Sequence, residues 1–195
     1  MGLFDVITGR RKTKAPAPDR LFAMSTAAVT LELELGLRSS GAAGIVFQPQ
    51  ATSDFAQIVA DMEEVVRGTG EETGTTVERS DDSFGYRWMI LRDTDFEDLV
   101  VGVNAVSNEL QGGGYGDRIL CAVFAFDSTD EGAGGGARVN WIYNYKRGAF
   151  YPFVAAGGQQ QRDSERELRL KAQIGAELPV EAELERWFPL WGIPF

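Results

Sequence analysis

Asp81-Asp82 is the one adjacent pair of carboxylates in this 195-residue chain whose setting invites a chemical reading. Two acids side by side can move a proton or hold a hard metal ion. Here they sit in Ser80-Asp81-Asp82-Ser83, between two runs of strand-forming residues, where acidic side chains ordinarily cap turn amides. Asp127, Asp130 and Glu131 do not have the alternating spacing and closing glutamate of a calcium loop. Gly112-Gly113-Gly114-Tyr115-Gly116 is rich enough in glycine to cradle a phosphate. A phosphate loop leaves a strand and enters a helix N-terminus, whereas this one leaves a helical pattern and enters an apolar run, as a helix C-cap does. Histidine is absent and Cys121 is the only cysteine. That removes Ser-His and Cys-His nucleophile pairs, imidazole bases and His- or Cys-built zinc sites. The expectation is a protein that is not an enzyme, with no cofactor and no metal site.

Charge narrows the partners. A net −10 opposes binding to nucleic acid, which depends on neutralising Lys and Arg. The charge is uneven: residues 1–20 carry a net +3 and the remainder −13. In the head, Leu3, Phe4 and Ile7 share one face of a helical pattern, and Arg10, Arg11 and Lys12 follow. Two readings stay open for it, a frayed terminus and an interfacial anchor whose cations meet anionic headgroups at about 1 kcal/mol each. Pro16 and Pro18 make a short semi-extended linker, so residues 1–18 are read as a basic amphipathic segment and 19–195 as one domain. No apolar run approaches the roughly 20 residues of a membrane span. Asp5 and Arg10 fall too early for a secretory leader. The expected location is the cytoplasm, with peripheral contact at the inner face of the membrane.

The elements behind these residues read as α+β. Val29–Leu35 alternates apolar and polar residues and predicts a strand; Gly36–Ala43 reads as a turn and Gly44–Gln48 as a second strand. Phe55, Ile58, Val59, Met62, Val65 and Val66 have helical spacing behind Ser53, with Gly68 and Gly70 as the stop. A hairpin over 75–92 follows, and Thr94-x-x-Glu97 predicts a capped helix ending at Gly112. Residues 118–126 are apolar on both faces, which marks a central strand. Strands over 138–146 and 150–153 come next, the second placed at an edge by Pro152. Ser164-x-x-Glu167 opens another helix, and Glu181–Trp187 a last short one. The order β-β-α-β-β-α-β-β-α-α predicts a mainly antiparallel sheet of about six strands with helices packed on one face.

Aromatic residues crowd the C-terminal third. One reading is a core in which the last helix lays its rings on the sheet. A second is a protein-binding face made by Lys146, Arg147, Tyr151, Trp187 and Trp191, since Trp, Tyr and Arg dominate such contacts. A third, from another class, is an apolar cavity for a small ligand lined by Trp141, Tyr143 and Trp187.

Tyr145-Lys146-Arg147-Gly148-x-Phe150-Tyr151-Pro152-Phe153, with Arg186-Trp187-Phe188-Pro189-x-Trp191-Gly192-x-Pro194, the opening Met1-Gly2-Leu3-Phe4-Asp5 and the Ala27–Glu32 run, resembles PspAB, the PspA-associated protein B family. The likeness extends over nearly the whole chain. It implies a partner in envelope-stress (phage-shock) systems built around PspA, a membrane-surface coiled-coil protein, and it implies no enzymatic activity or site residues. The combined expectation is a cytoplasmic adaptor that binds a protein partner, PspA foremost, and touches an anionic membrane through Leu3, Phe4, Ile7, Arg10, Arg11 and Lys12. A homo-oligomer is compatible with the sequence, which does not choose a state.

Overall fold

A computed structural model of the chain describes residues 20–129, 138–157, 160–175 and 177–195. Ten elements follow in order: α1 (Ala23–Leu33), β1 (Leu37–Phe47), α2 (Ser53–Thr73), β2 (Thr76–Asp81), β3 (Arg87–Arg92), α3 (Phe96–Gly112), β4 (Ile119–Ser128), β5 (Val139–Asn144), β6 (Ala149–Val154) and α4 (Ser164–Ile174). The strands form one antiparallel sheet in the order β2-β3-β1-β4-β5-β6. The fold is α+β with its helices on one face, as the pattern of apolar residues predicts.

The sheet is apolar on both faces. On one, Ile45, Phe47, Leu91, Phe124, Trp141 and Tyr143 meet Met24 and Leu31 of α1, Phe55 and Met62 of α2, Val103 and Val106 of α3, and Leu170 and Ile174 of α4. On the other, Val46, Trp88, Ile90, Cys121, Val123, Ile142, Tyr151 and Phe153 form a second buried layer. What covers it is the end of the chain: Trp187, Leu190, Trp191, Ile193 and Phe195 lie across that face. β4 is buried on both sides, which is why its sequence shows no alternation.

Several local expectations are corrected. Residues 29–33 are helical, the last part of α1, and no strand forms there. Leu, Glu and Ala are strong helix formers, and an alternation of seven residues is too short to override them. The helix buries Met24, Ala27 and Leu31, so Val29 and Leu33, inward on a strand reading, are left 58% and 80% exposed. The segment read as a turn over 36–43 is mostly the start of β1, which carries a bulge between Ser39 and Ala43. Gly41 sits in it at φ +73°. α2 runs through Gly68 and Gly70 to Gly74, whose left-handed backbone closes it; its N-cap is Thr52, which accepts from the Phe55 amide. α3 and α4 are capped one residue away from the expected boxes, by Asp95 and Asp163. The last short helix is a single 3-10 turn, Leu184–Arg186.

Gly44 of β1 faces the second layer. A Cβ there would lie 2.7 Å from the Phe195 ring, so the close seat of the final residue requires glycine. The same ring meets Trp88 edge-on at 6.0 Å. Gly44→Ala is expected to destabilise the protein by about 1–2 kcal/mol in urea unfolding, as overpacking does. In a Phe195→Ala background the same change becomes neutral or stabilising, because alanine suits a strand better than glycine. Equal effects in both backgrounds would show that the ring does not depend on Gly44.

Candidate functional site

The C-terminal segment is anchored along β6, an edge strand. The Phe150 amide donates to Pro179 O and its carbonyl accepts from the Glu181 amide, both at 2.8 Å. Two residues on, Pro152 has no N–H to satisfy. At Val154, the amide donates to Glu167 Oε1 at 2.9 Å and the carbonyl accepts from the Asp163 amide at 2.9 Å. The outward edge of β6 is thus occupied by the chain's own later residues.

Glu167 is 1% exposed and binds Arg162, whose Nε lies 3.1 and 2.9 Å from the two carboxylate oxygens. Arg162 Nη2 adds an ion-pair contact at 2.7 Å to Oε2. Arg162 Nη1 donates to Trp187 O at 2.6 Å, so one guanidinium ties the first turn of α4 to the strap. Glu167, expected to close a capping box, is turned inward because β6 leaves an amide for it.

A second ionic node lies just before the strap, the last nine residues of the chain (187–195). Arg147 Nε donates to Glu181 Oε2 at 2.9 Å, the Glu183 amide donates to Oε1 at 3.1 Å, and Arg186 Nη1 is 3.7 Å from Oε1. Burial pushes the Glu181 carboxyl up, but the Arg147 hydrogen bond, the Glu183 amide and the charges of Arg147 and Arg186 outweigh it and hold it below the usual glutamate range.

Of the five residues expected on a partner-binding face, two are structural. Trp187 is buried, donates from Nε1 to Glu181 O at 3.0 Å and stacks on Tyr151 at 6.2 Å, with Lys171 Nζ 5.4 Å from its ring centroid. Tyr151 is buried and donates to Phe188 O at 3.1 Å; burial pushes its phenol up. Trp191 is half-buried, edge-on to Phe153 at 5.0 Å. Lys146 and Arg147 remain exposed at the β5–β6 turn. The sequence did not single out Leu168, Leu184 and Phe188, which are 45%, 48% and 62% exposed. Leu168 and Leu184 line a cleft of about 130 Å³ with Arg162, Ser164, Glu167 and Trp187. Only the placement of Trp187 inside the strap leaves these neighbours outside, and no pattern of residue types announces that.

The aromatic cavity expected for a small ligand is not assembled. Trp141 and Tyr143 are fully buried on the helix side of the sheet, and Trp187 lies on the opposite side. Asp81 and Asp82 are occupied as turn residues. Arg87 Nε and Nη2 donate to the two Asp81 oxygens at 2.6 and 2.8 Å, and that hydrogen bonding holds Asp81 below the ordinary range. Asp82 accepts from the Phe84 and Tyr86 amides and from Trp88 Nε1 at 2.8, 2.9 and 3.1 Å. The Cys121 thiol is pushed up to about 12 by burial, which leaves it an inert core group. Among the described residues, no three acids or thiols gather as a metal site, and no helix is long and apolar enough to cross a membrane. Leu3, Phe4, Ile7, Arg10, Arg11 and Lys12 lie outside the described residues.

Fold and site together define an α+β domain with one helical layer, whose second sheet face is closed by its own C-terminal strap. A family model described as PspA associated protein B matches residues 1–195, and the chain belongs to that family. The family's name carries an association with PspA. No curated protein and no solved structure matches the chain.

Arg162→Ala leaves the Glu167 charge buried without its partner and is expected to lower stability by about 3–5 kcal/mol, read by urea unfolding. A loss below about 1 kcal/mol would mean that the pair contributes no more than an exposed one. For Glu181 the folded-state pKa is depressed, so its contribution is complete above the ordinary value of about 4.3 and disappears as pH falls through the lowered one. Arg147→Ala should therefore flatten the acid limb of a pH–stability curve. An unchanged limb would show that this pair does not set acid stability.

Proposed function

We propose that this chain is a non-enzymatic cytoplasmic adaptor of a PspA envelope-stress system. It binds PspA through the strap side of the domain, and its basic head touches the anionic inner leaflet. The observation that carries the reading is the juxtaposition at the strap of exposed apolar groups and exposed cations. Leu184 and Phe188 flank buried Trp187, Leu168 faces Leu184 across the cleft, and Lys146 and Arg147 border the Glu181 node that anchors the same segment. An apolar centre with a charged rim, here Lys146 and Arg147 with exposed Glu183 and Glu185, is the composition of a protein contact. Buried Tyr151 and Trp187 hold that surface in shape and do not themselves meet the partner. Full-length membership of a family named for its association with PspA supports PspA as that partner.

The charge distribution supports the same side. Residues 138–195 hold eight basic and seven acidic groups, whereas residues 21–137 hold six and twenty. Residues 138–195 as a whole therefore oppose an acidic partner less than residues 21–137 do, although Glu183 and Glu185 flank Leu184.

Retention of purified PspA on the immobilised full chain is expected, weakened at least about tenfold by Lys146→Glu combined with Phe188→Ser. Both positions are exposed, so the variant should melt like the parent. Undiminished retention would remove the strap surface from the proposal. Flotation with anionic liposomes should drop on removing residues 1–14 and with rising salt. Equal flotation by both proteins would remove the membrane contact. Substrate turnover by pure protein, lost on changing one carboxylate, would overturn the non-enzymatic part.

A further inference from the structure

α1 has two apolar faces, and the sheet uses one. Met24, Ala27 and Leu31 point into the core. On the opposite side, Phe22, Thr26, Val29 and Leu33 form a stripe at spacings of four, three and four, the seam spacing of paired helices. Phe22, Val29 and Leu33 are 39%, 58% and 80% exposed. From Leu21 to Leu31 the sequence Leu-Phe-Ala-Met-Ser-Thr-Ala-Ala-Val-Thr-Leu contains no charge, although a quarter of the chain is charged. A helix with apolar side chains on two faces ordinarily has both of them covered.

The stripe is a palindrome. Its spacings read the same in both directions, so an antiparallel copy of α1 sets Phe22 against Leu33 of the second molecule and Thr26 against its Val29. Such a contact is self-complementary, the requirement of a two-fold interface. Charge agrees with the direction. Arg20, exposed just before α1 with Nη1 donating to Gly148 O at 3.3 Å, comes beside the end of the other helix that carries exposed Glu34, where Glu32 is already paired with Arg38 at 2.9 Å. A parallel pair would set these like charges together. We propose that the outward face of α1 is the contact of a two-fold homodimer, in which two copies pair antiparallel through Phe22, Thr26, Val29 and Leu33. It stands independently of PspA binding in its test, because none of the four stripe residues belongs to the proposed PspA surface, although Arg20 donates to Gly148 O in the turn that carries Lys146 and Arg147.

α1 spans about 16 Å, so the contact is small and the dimer dissociates on dilution. Sedimentation of the full chain over a wide concentration range is expected to show a reversible monomer–dimer equilibrium. Leu33→Glu should raise the midpoint at least about tenfold, since each dimer loses two buried leucines. Its thermal melt at low concentration should be unchanged, because the side chain is exposed in the monomer. Orientation is read by mixing Phe22→Cys with Leu33→Cys protein under oxidation. Cross-links should form in the mixture and hardly in either protein alone, and buried Cys121 does not interfere. A monomer at every concentration would overturn the proposal, as would a dimer indifferent to Leu33→Glu or cross-links favouring like variants. A full chain that dimerises only after removal of residues 1–19 would also overturn it, since the chain's own head would then hold the face.

Discussion

A sheet with two apolar faces and one layer of helices leaves half its core open to water, and much of this structure follows from closing that half. Trp88, Ile90, Val123, Ile142 and Phe153 would together expose a large patch, which soluble monomers rarely tolerate. The chain closes the patch with its last nine residues, crossing from β6 toward Gly44 of β1. A strap of irregular backbone has no ladder of its own, so its grip comes from large rings in fitted seats and from a few polar ties. This explains why the final segment is so aromatic and why its tryptophan lies inside. It also explains the glycine within β1, where a side chain would occupy the place of the Phe195 ring.

The polar ties do a different job from the rings. Hydrophobic contact would hold the strap against the face in many registers, whereas hydrogen bonds select one. Arg162 is the connection between layers, because the same guanidinium meets Glu167, which satisfies the β6 edge, and Trp187 O, which begins the strap. Burying such a pair gains little net stability over apolar residues of equal volume, but once buried each partner needs the other. Glu181 repeats the arrangement at lower burial, joining the β5–β6 turn to the 3-10 turn through Arg147 and Arg186. β6, which Pro152 bars from further pairing, is the frame on which both ties are built.

The legible parts of the sequence were those fixed by residues close together in the chain. The α3 stripe, the 75–92 hairpin, the double-sided apolarity of β4 and the edge placement of β6 each rest on local spacing or on proline. α1 failed because its outward face is as apolar as its inward one, so Val29, Leu31, Leu33 and Leu35 imitate a strand. Glu167 failed because capping chemistry and edge satisfaction call for the same residue at nearly the same position, and only the neighbouring β6 amide decides between them. Of the residues expected on the candidate surface, Lys146 and Arg147 lie outside as the turn at Gly148 suggests, whereas Tyr151 and Trp187 exchange exposure with Leu184 and Phe188, because which ring of an aromatic tail turns inward depends on the opposite sheet face.

That exchange changes what the exposed residues mean. Had the rings faced outward, scattered aliphatic groups elsewhere would have been ordinary surface. With the rings committed to the strap, the apolar groups left outside fall in two coherent places, the rim of the strap and the outer stripe of α1. They differ in kind. The strap rim mixes leucine and phenylalanine with charged groups of both signs, a surface suited to an unlike partner. The α1 stripe is charge-free along its length, with opposite charges only at its ends, a surface suited to its own copy. A strap-bound partner and an α1-bound copy would use different side chains, so a two-fold pair could present two strap surfaces at once. Bivalent presentation of that kind raises avidity toward a repeating or oligomeric target without any new contact.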